Sequence, residues 1–324
     1  MSEIKTLSII ISIYNEEGNI KPVLNELFHE ITKINNINFE IICVNDGSKD
    51  SSLKVLNEIQ TNHQIKIINF TRNFGHEIAM TAGMNYAKGD AVLFMDGDGQ
   101  NPTSTVVKMI HKWLEGFDIV LSKRTEYKQS AIKRLLSKTF YKILNFLSDI
   151  KFDSSYPDFR LISRKYIERI KKINETERMF RGILNWIGIT NHTIIEFTVP
   201  PRISGKSNYN MLKYLNLGIN GILQFSIKPL RIFTIFAITC CILSIFYAGY
   251  IFFDHILYHR PQSGFATIVL LMISFFSIQT LIISLIGEYV GRIHIEVKKR
   301  PLYFADITES TNSTKNYGYN PTDN

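Results

Sequence analysis

Cysteine is scarce in this 324-residue chain, with only 3 in all. Cys43 lies inside an apolar run, and Cys240 and Cys241 are adjacent within another. Neighbouring cysteines make an awkward disulfide and no spacing here suits a zinc site, so buried reduced thiols are expected. A Gly-x-Gly-x-x-Gly after the first apolar run is also missing, which disfavours a dinucleotide oxidoreductase. No phosphate loop is present, because Gly205-Lys206-Ser207 lacks the upstream glycine and the strand that such a loop needs. The opening apolar run, Leu7 to Ile13, ends in turn residues rather than at a small-residue cleavage site, so it reads as a strand and not as a secretory signal. With 45% hydrophobic and 20% charged residues, disordered, collagen-like and disulfide-scaffold classes are excluded.

Charge is absent altogether from two segments, Ile232 to Phe253 and Phe265 to Ile286. Each runs about 22 residues, or about 33 Å as helix, enough for a hydrocarbon core of about 30 Å. Core helices of soluble proteins are seldom that long without one charge, so membrane spans are expected. Gln279 and several serines in the second can bond between the two helices. Lys213, Lys228 and Arg231 precede the pair, and Arg292, Lys298, Lys299 and Arg300 follow it. The connecting loop, Asp254 to Gly264, carries only Arg260. The positive-inside bias puts both flanks in the cytoplasm.

Two further stretches are amphipathic. Ile132 to Leu147 alternates apolar residues at helical spacing with Lys133, Arg134, Lys138 and Lys142. It reads equally as a basic helix on anionic lipid or as a surface helix packed on its own domain. Tyr209 to Gln224 runs straight into the first span and is the better membrane-surface candidate. The formal charge of +8 would suit nucleic acid, but no recognition module appears, so no nucleic-acid partner is expected. Anionic lipid and phosphate substrates account for the basicity better.

Ahead of Ser122 the chain alternates strand and helix patterns. Strands are expected at Leu7 to Ile13, Phe39 to Val44, Ile65 to Phe70, Ala91 to Met95 and Asp118 to Leu121. Helices are expected from about Gly18 to Ile34, after Ser48, from Gly75 to Ala87 and from Thr103 to Leu114. Short apolar strands separated by helices imply a mostly parallel α/β sheet covered on both faces, with ligands beyond the strands' carboxyl ends. The expected organisation is a catalytic domain over 1–208, a juxtamembrane interfacial helix over 209–230, a transmembrane hairpin over 231–287 and a cytoplasmic tail over 288–324.

Asp96-Gly97-Asp98 falls at a strand end. Two carboxylates one residue apart can hold a hard divalent cation and leave positions open for diphosphate oxygens. A solvated Asp-Gly turn is the competing explanation, and for Asn45 and Ser48 plain helix capping is. Arg124, Arg178, Arg181, Arg202 and Lys206 place cations on the later loops, where Arg forks suit phosphate oxygens. Lipid-facing charge is the alternative, above all for Arg178 and Arg181.

The ordered motifs Tyr14-Asn15-Glu16-Glu17, Asn45-Asp46-Gly47-Ser48-Lys49-Asp50, Arg72-Asn73-Phe74-Gly75, Asp96-Gly97-Asp98 with Gln100, Asp158-Phe159-Arg160, Gly205-Lys206-Ser207-Asn208-Tyr209 and Gly287-Glu288-Tyr289-Val290-Gly291-Arg292 resemble those of the family 2 glycosyltransferases. More narrowly, with the C-terminal hairpin, they resemble the polyprenyl-phosphate type, which includes bactoprenol glucosyltransferases and dolichol-phosphate mannose synthases. The likeness covers nearly the whole chain up to a polar tail after about Asp306.

This resemblance implies a GT-A-like, Rossmann-like sheet domain and an inverting transfer of a hexose from a nucleotide sugar to undecaprenyl phosphate. UDP-glucose is the expected donor, with GDP-mannose or a modified UDP-sugar as the alternative. The product would be a lipid-linked sugar for cell-surface polysaccharide modification, made at the cytoplasmic face of a bacterial inner membrane. By the same resemblance Asp96 and Asp98 hold Mg²⁺ or Mn²⁺, and Tyr14, Asn15, Glu16, Asn45, Asp46, Arg72, Asp96, Gly97 and Arg124 bind the nucleotide sugar. Gln100, Arg202, Lys206 and Ser207 contact the phosphate or acceptor, and Asp158, Asp98 and Arg160 are catalytic. Asp158 stands where the family has a candidate base, although an Asp158–Arg160 structural ion pair is the competing explanation. The family often has Pro where Ser12 stands, a departure of little expected chemical consequence, and Lys where His76 stands.

A processive synthase is disfavoured, since its Gln-x-x-Arg-Trp motif is missing and two spans are too few for a conducting pore. From another class, a catalytically silent membrane scaffold would share this fold, but the intact Asp96/Asp98 pair argues against it. Self-association into a homo-oligomer is compatible with everything above.

Overall fold

A computed structural model describes residues 4–125, 142, 145–147, 156–176, 178–201, 226, 228–258, 264–309 and 314–319. Most of the Ile132 to Leu147 stretch and all of Tyr209 to Gln224 lie outside them, as do Arg202, Lys206 and Ser207. The chain divides into two compact units, one holding the sheet and its helices, the other holding the two long apolar helices.

In the sheet unit, β1 (Lys5–Ile13), β2 (Ile37–Asn45), β3 (Ile65–Phe70) and β4 (Ala91–Asp96) are joined by α1 (Ile20–Ile31), α2 (Ser52–Gln60) and α3 (His76–Tyr86). Next come α4 (Thr103–Leu114), β5 (Ile119–Arg124), β6 (Arg160–Ser163), α5 (Arg164–Lys171), α6 (Phe180–Ile187) and β7 (His192–Phe197). After α7 (Lys228–Tyr258) and α8 (Phe265–Val297), β8 (Tyr303–Thr308) and β9 (Thr314–Tyr319) return to the same sheet. The strand order is β7-β5-β6-β4-β1-β2-β3-β8-β9. β1 pairs in parallel with β2 and β4, β2 with β3 and β5 with β7, whereas β6 and β8 run against their neighbours.

Why these segments form these elements follows from periodicity. In β1, Leu7, Ile9, Ile11 and Ile13 are buried on one face and Ile10 on the other, as a central parallel strand requires. α1 buries Ile20, Val23, Leu24, Leu27 and Ile31, a helical stripe that joins α4's Val106, Met109, Ile110 and Trp113 over the odd-numbered β1 residues. α3 covers the opposite face, its small Ala79, Ala82 and Gly83 allowing close approach to β1 and β2. Burial also pushes the Cys43 thiol up to about 12, so it stays an inert apolar side chain.

Because β1 leads to β2 on one side and pairs with β4 on the other, the sheet has its topological switch point between β1 and β4. The loops after β1, β2, β3 and β4 all open at this carboxyl edge. β6 and β8 run the other way, so the residues just before them, Asp158-Phe159 and Arg300 to Leu302, open there too.

In the second unit, α7 and α8 are long and apolar enough to cross a membrane. Side chains such as Phe246 (73% exposed) and Phe276 (62% exposed) are uncovered by protein, an arrangement water would not tolerate over such a length. α8 continues past the uncharged run to Val297, supported by a Glu288–Arg292 ion pair of 3.0 Å one turn apart. The Tyr289 hydroxyl donates to the Ser226 carbonyl at 2.9 Å.

Candidate active site

Two loops of the carboxyl edge are stitched together by their own side chains. Asn15, in the left-handed region at φ 55°, donates its N–H to Ser48 Oγ (2.9 Å) and accepts from the Lys49 N–H at Oδ1 (2.8 Å). The Glu16 N–H donates to Ser52 Oγ (2.9 Å), and Glu17 accepts from the Ser51 N–H (2.8 Å). Gly47 sits at φ 63°, and a Cβ there would collide with the backbone of Arg72 and Asn73, so only glycine lets the second and third loops touch.

Asp46 organises the third loop. Its carboxylate accepts from the Phe74 N–H (2.7 Å), the Gly75 N–H (3.0 Å) and Asn73 Nδ2 (2.9 Å). Burial pushes its carboxyl up to about 6, against the lowering influence of the Phe74 and Gly75 N–H groups and of His76. Asn45 is 1% exposed and donates through Nδ2 to Asn69 Oδ1 (2.7 Å). As the last residue of β2 its side chain is still inside the sheet. Through this bond Asn45 shapes the loop from beneath. Arg72 is exposed, with its guanidinium 4.3 Å above the Phe74 ring, and Tyr14 and Glu16 are half-buried in the first loop.

The carboxylates gather on the other side of β1. Asp96 ends β4 and is paired in register with Ser12, whose hydroxyl donates to Asp96 Oδ1 (3.2 Å) and lies 2.9 Å from His76 Nδ1. Asn101 Nδ2 donates to the other oxygen at 3.3 Å. Ser12 thus touches the acidic motif directly, contrary to the expectation that its identity matters little. Asn101 was not singled out from the sequence, though it directly follows Gln100 and is 6% exposed, which an unpartnered Asn would not be. Gly97 lies against Ile13, where a Cβ would come within 2.9 Å, and this close approach lets the acidic turn sit on β1. Asp98 is 8% exposed and accepts from the Gln100 N–H at 2.9 Å.

β6 brings in the second acidic motif. Arg160 pairs with Phe94, and two further residues along that antiparallel register set Asp158 opposite Asp96. Arg160, 3% exposed, donates to Asp158 and to the Pro157 carbonyl (3.1 Å), so the ion pair is present and buried. Asp158 is also near enough to act on Asp96. The surrounding protein pushes the Asp96 carboxyl upward, His76 opposes this, and the Asp98 and Asp158 carboxylates push it further.

Like charges held this close favour a bound cation. Among the described residues no group of three His, Cys, Asp or Glu side chains encloses a metal. One or two carboxylates with the rest of the shell open is nevertheless the donor set of Mg²⁺ or Mn²⁺ bound together with phosphate oxygens, so the residues fit such an ion. Arg124 is exposed at the end of β5, at the same edge. Arg178, expected among the phosphate-binding cations, is instead 6% exposed and donates to the Ile173 and Glu175 carbonyls. It closes the turn before α6 and is unavailable to a ligand.

Residues 8–171 match the model of glycosyl transferase family 2. An uncharacterized glycosyltransferase of Synechocystis sp. is 38% identical over 92% of this chain and 93% of its own length. A prophage-derived bactoprenol glucosyl transferase of Shigella flexneri is 35% identical over 92% of this chain and 96% of its own. Among solved structures, glucosyl-3-phosphoglycerate synthase of Mycobacterium tuberculosis with Mn²⁺, UDP and product is 16% identical at a TM-score of 0.46, covering 68% of this chain and 78% of that one. With its GT-A-like sheet and its acidic motifs at the switch point, the chain belongs to glycosyl transferase family 2.

Proposed function

We propose that the chain transfers a hexose, glucose from UDP-glucose, to undecaprenyl phosphate at the cytoplasmic face of a bacterial inner membrane. One observation carries this reading. The edge of the sheet that gathers Asp96, Asp98 and Asp158 is also the edge where the chain leaves β7 before α7 and re-enters β8 after α8. The strand ends that precede and follow the apolar helices in the chain thus share the edge of the acidic centre, which suits a membrane-bound acceptor. The return of β8 to the sheet further supports a hairpin anchor, since both flanks of the helix pair then belong to the compartment of the catalytic domain. The bactoprenol relative supports the acceptor class and, by its glucosyl name, the sugar.

In this mechanism Asp96 and Asp98 would hold the divalent cation, which when bound offsets the charge developing on the departing nucleoside diphosphate. The loops bound together by Asp46, Asn15 and Gly47 hold the nucleotide, with Arg72 reaching out from the Phe74 ring toward its phosphates. The acceptor phosphate oxygen attacks the anomeric carbon opposite the breaking bond to diphosphate, which inverts the centre. A phosphate monoester has its second pKa near about 6 and is already largely dianionic at neutral pH, so no strong base is needed. Asp158 accordingly orients Arg160 and the acceptor rather than removing a proton. Catalysis is by positioning and charge placement.

The test is a donor panel with purified full-length protein, undecaprenyl phosphate, divalent cation and labelled nucleotide sugars. Glucose transfer from UDP-glucose is expected. Preference for GDP-mannose or an N-acetylated UDP-sugar would overturn the donor assignment, and absence of transfer from every donor would favour a silent scaffold.

A further inference from the structure

β8 follows the second apolar helix, yet it abuts the third loop of the site. It pairs antiparallel with β3 from Ile67↔Thr308 to Phe70↔Ala305, and the Thr71 N–H donates to the Phe304 carbonyl at 3.1 Å. This pairing reaches the residue before Arg72, where the loop held by Asp46 begins. On the face shared with α3, Tyr303 is 0% exposed and stacks on Phe70, with ring centroids 4.9 Å apart and planes at 22°. Phe70 in turn meets Phe74 edge to face at 5.5 Å, and the Arg72 guanidinium lies on the far part of that assembly, 4.3 Å from the Phe74 centroid. A continuous stack of rings therefore runs from the post-helix strand to the one exposed cation of the loop.

From this geometry we infer that Tyr303 is a positioning residue for nucleotide binding, acting through Phe70 and Phe74 on the Arg72–Gly75 loop. The inference rests on the proposed transferase reading. The Phe74 N–H is fixed from one side by Asp46, and the rings fix the same residue from the other. Without the Tyr303 ring, Phe70 loses its stacking surface and Phe74 can rotate, so Arg72 is no longer presented toward a diphosphate. Ring pairs of this kind are strong enough to change a dissociation constant by about tenfold. The acceptor phosphate relies on the Asp158 and Arg160 side of the site, four strands away in the sheet order, so its affinity stays unchanged.

The experiment uses full-length protein in detergent or nanodiscs, with UDP and GDP titrated in the presence of Mg²⁺ and the KM for undecaprenyl phosphate measured alongside. Tyr303→Leu should weaken nucleoside diphosphate binding about tenfold and leave the acceptor KM unchanged, while Tyr303→Phe should restore wild-type affinity. Ile307→Val, further along the same strand and face, is the comparison for general loosening of β8 and should bind as wild type. If Tyr303→Leu does not fold, Phe70→Leu removes the next ring and should give the same nucleotide-specific loss. Unchanged nucleotide affinity in the folded ring variant, an equal loss in Ile307→Val, or a parallel rise in the acceptor KM overturns the inference and leaves the transferase reading standing. Wild-type protein that binds neither UDP nor GDP overturns both.

Discussion

The two sides of the site, divided by β1, are built from different interactions. On the β2/β3 side, Asn15 and Asp46 accept from backbone N–H groups and Asn45 bonds the neighbouring Asn69 amide. On the β4/β6 side, the Asp98 and Asp158 carboxylates lie near enough to act on Asp96, and Arg160 pairs with Asp158. The first side is a preformed cradle whose shape needs no ligand. The second gathers carboxylates, whose negative charge a divalent cation would offset.

The largest effect expected from this contrast comes from the carboxylate side. Asp98→Asn should lower transfer by about 10³-fold or more while membrane insertion is kept, because several kcal/mol of charge stabilisation is lost. The same variant should melt no lower than wild type without divalent cation, since it removes one of the repelling charges, and Mg²⁺ should no longer raise its melting temperature. Retained turnover would refute the metal assignment.

On the preformed side, Gly47→Ala should destabilise the domain by about 1–3 kcal/mol and raise the UDP dissociation constant, because the residue needs φ 63° and its Cβ would displace Arg72 and Asn73. Thermal melts with UDP titration measure both, and a variant of wild-type stability and affinity would contradict the close packing of these loops.

A smaller effect depends on pH. Folding raises the Asp46 carboxyl from its ordinary value to about 6, so its contribution to stability is fully present below that ordinary value and is lost as pH climbs through about 6. Binding runs the other way. Below about pH 6 the proton turns one accepting oxygen into a donor, an N–H of Phe74 or Gly75 loses its partner, and UDP affinity should fall. Direct titration with UDP-glucose, whose diphosphate has no second ionisation in this range, checks this without interference from the ligand, and affinity independent of pH across this range would remove Asp46 from the loop's support.

The smallest change is Ser12→Ala, which takes one hydrogen bond from Asp96. It should raise the Mg²⁺ concentration for half-maximal activity by about 3–10-fold, in line with the worth of an ordinary hydrogen bond, as its 3.2 Å length suits. No shift would mean that the Ser12 bond does not set the Asp96 rotamer.

What the sequence made legible was whatever has a local period. β3 spans Ile65–Phe70 and α4 spans Thr103–Leu114, the limits their apolar spacing marks. The acidic turn could be put at a strand end because β4 is a short, wholly apolar run. β6 escaped notice because it is four residues long, begins with an arginine and finds its partners only through antiparallel register. Without that register nothing in the sequence sets Asp158 opposite Asp96. In β8 the alternation of Tyr303, Ala305 and Ile307 is a two-residue period in plain view, but its position beyond the apolar helices makes it read as part of a polar tail. Cross-strand partners such as Ser12 for Asp96 and Asn69 for Asn45 have no signature at all along the chain.

The late place of β8 also sets a timetable. During synthesis the ribosome releases this strand only after both long apolar helices have emerged, so a nascent chain can assemble β1 to β7 while the flank of β3 is still bare. If Tyr303 steadies the loop as inferred, a nascent chain holds nucleotide about tenfold more weakly until translation has passed both long apolar helices, so unfinished chains compete poorly for sugar donors.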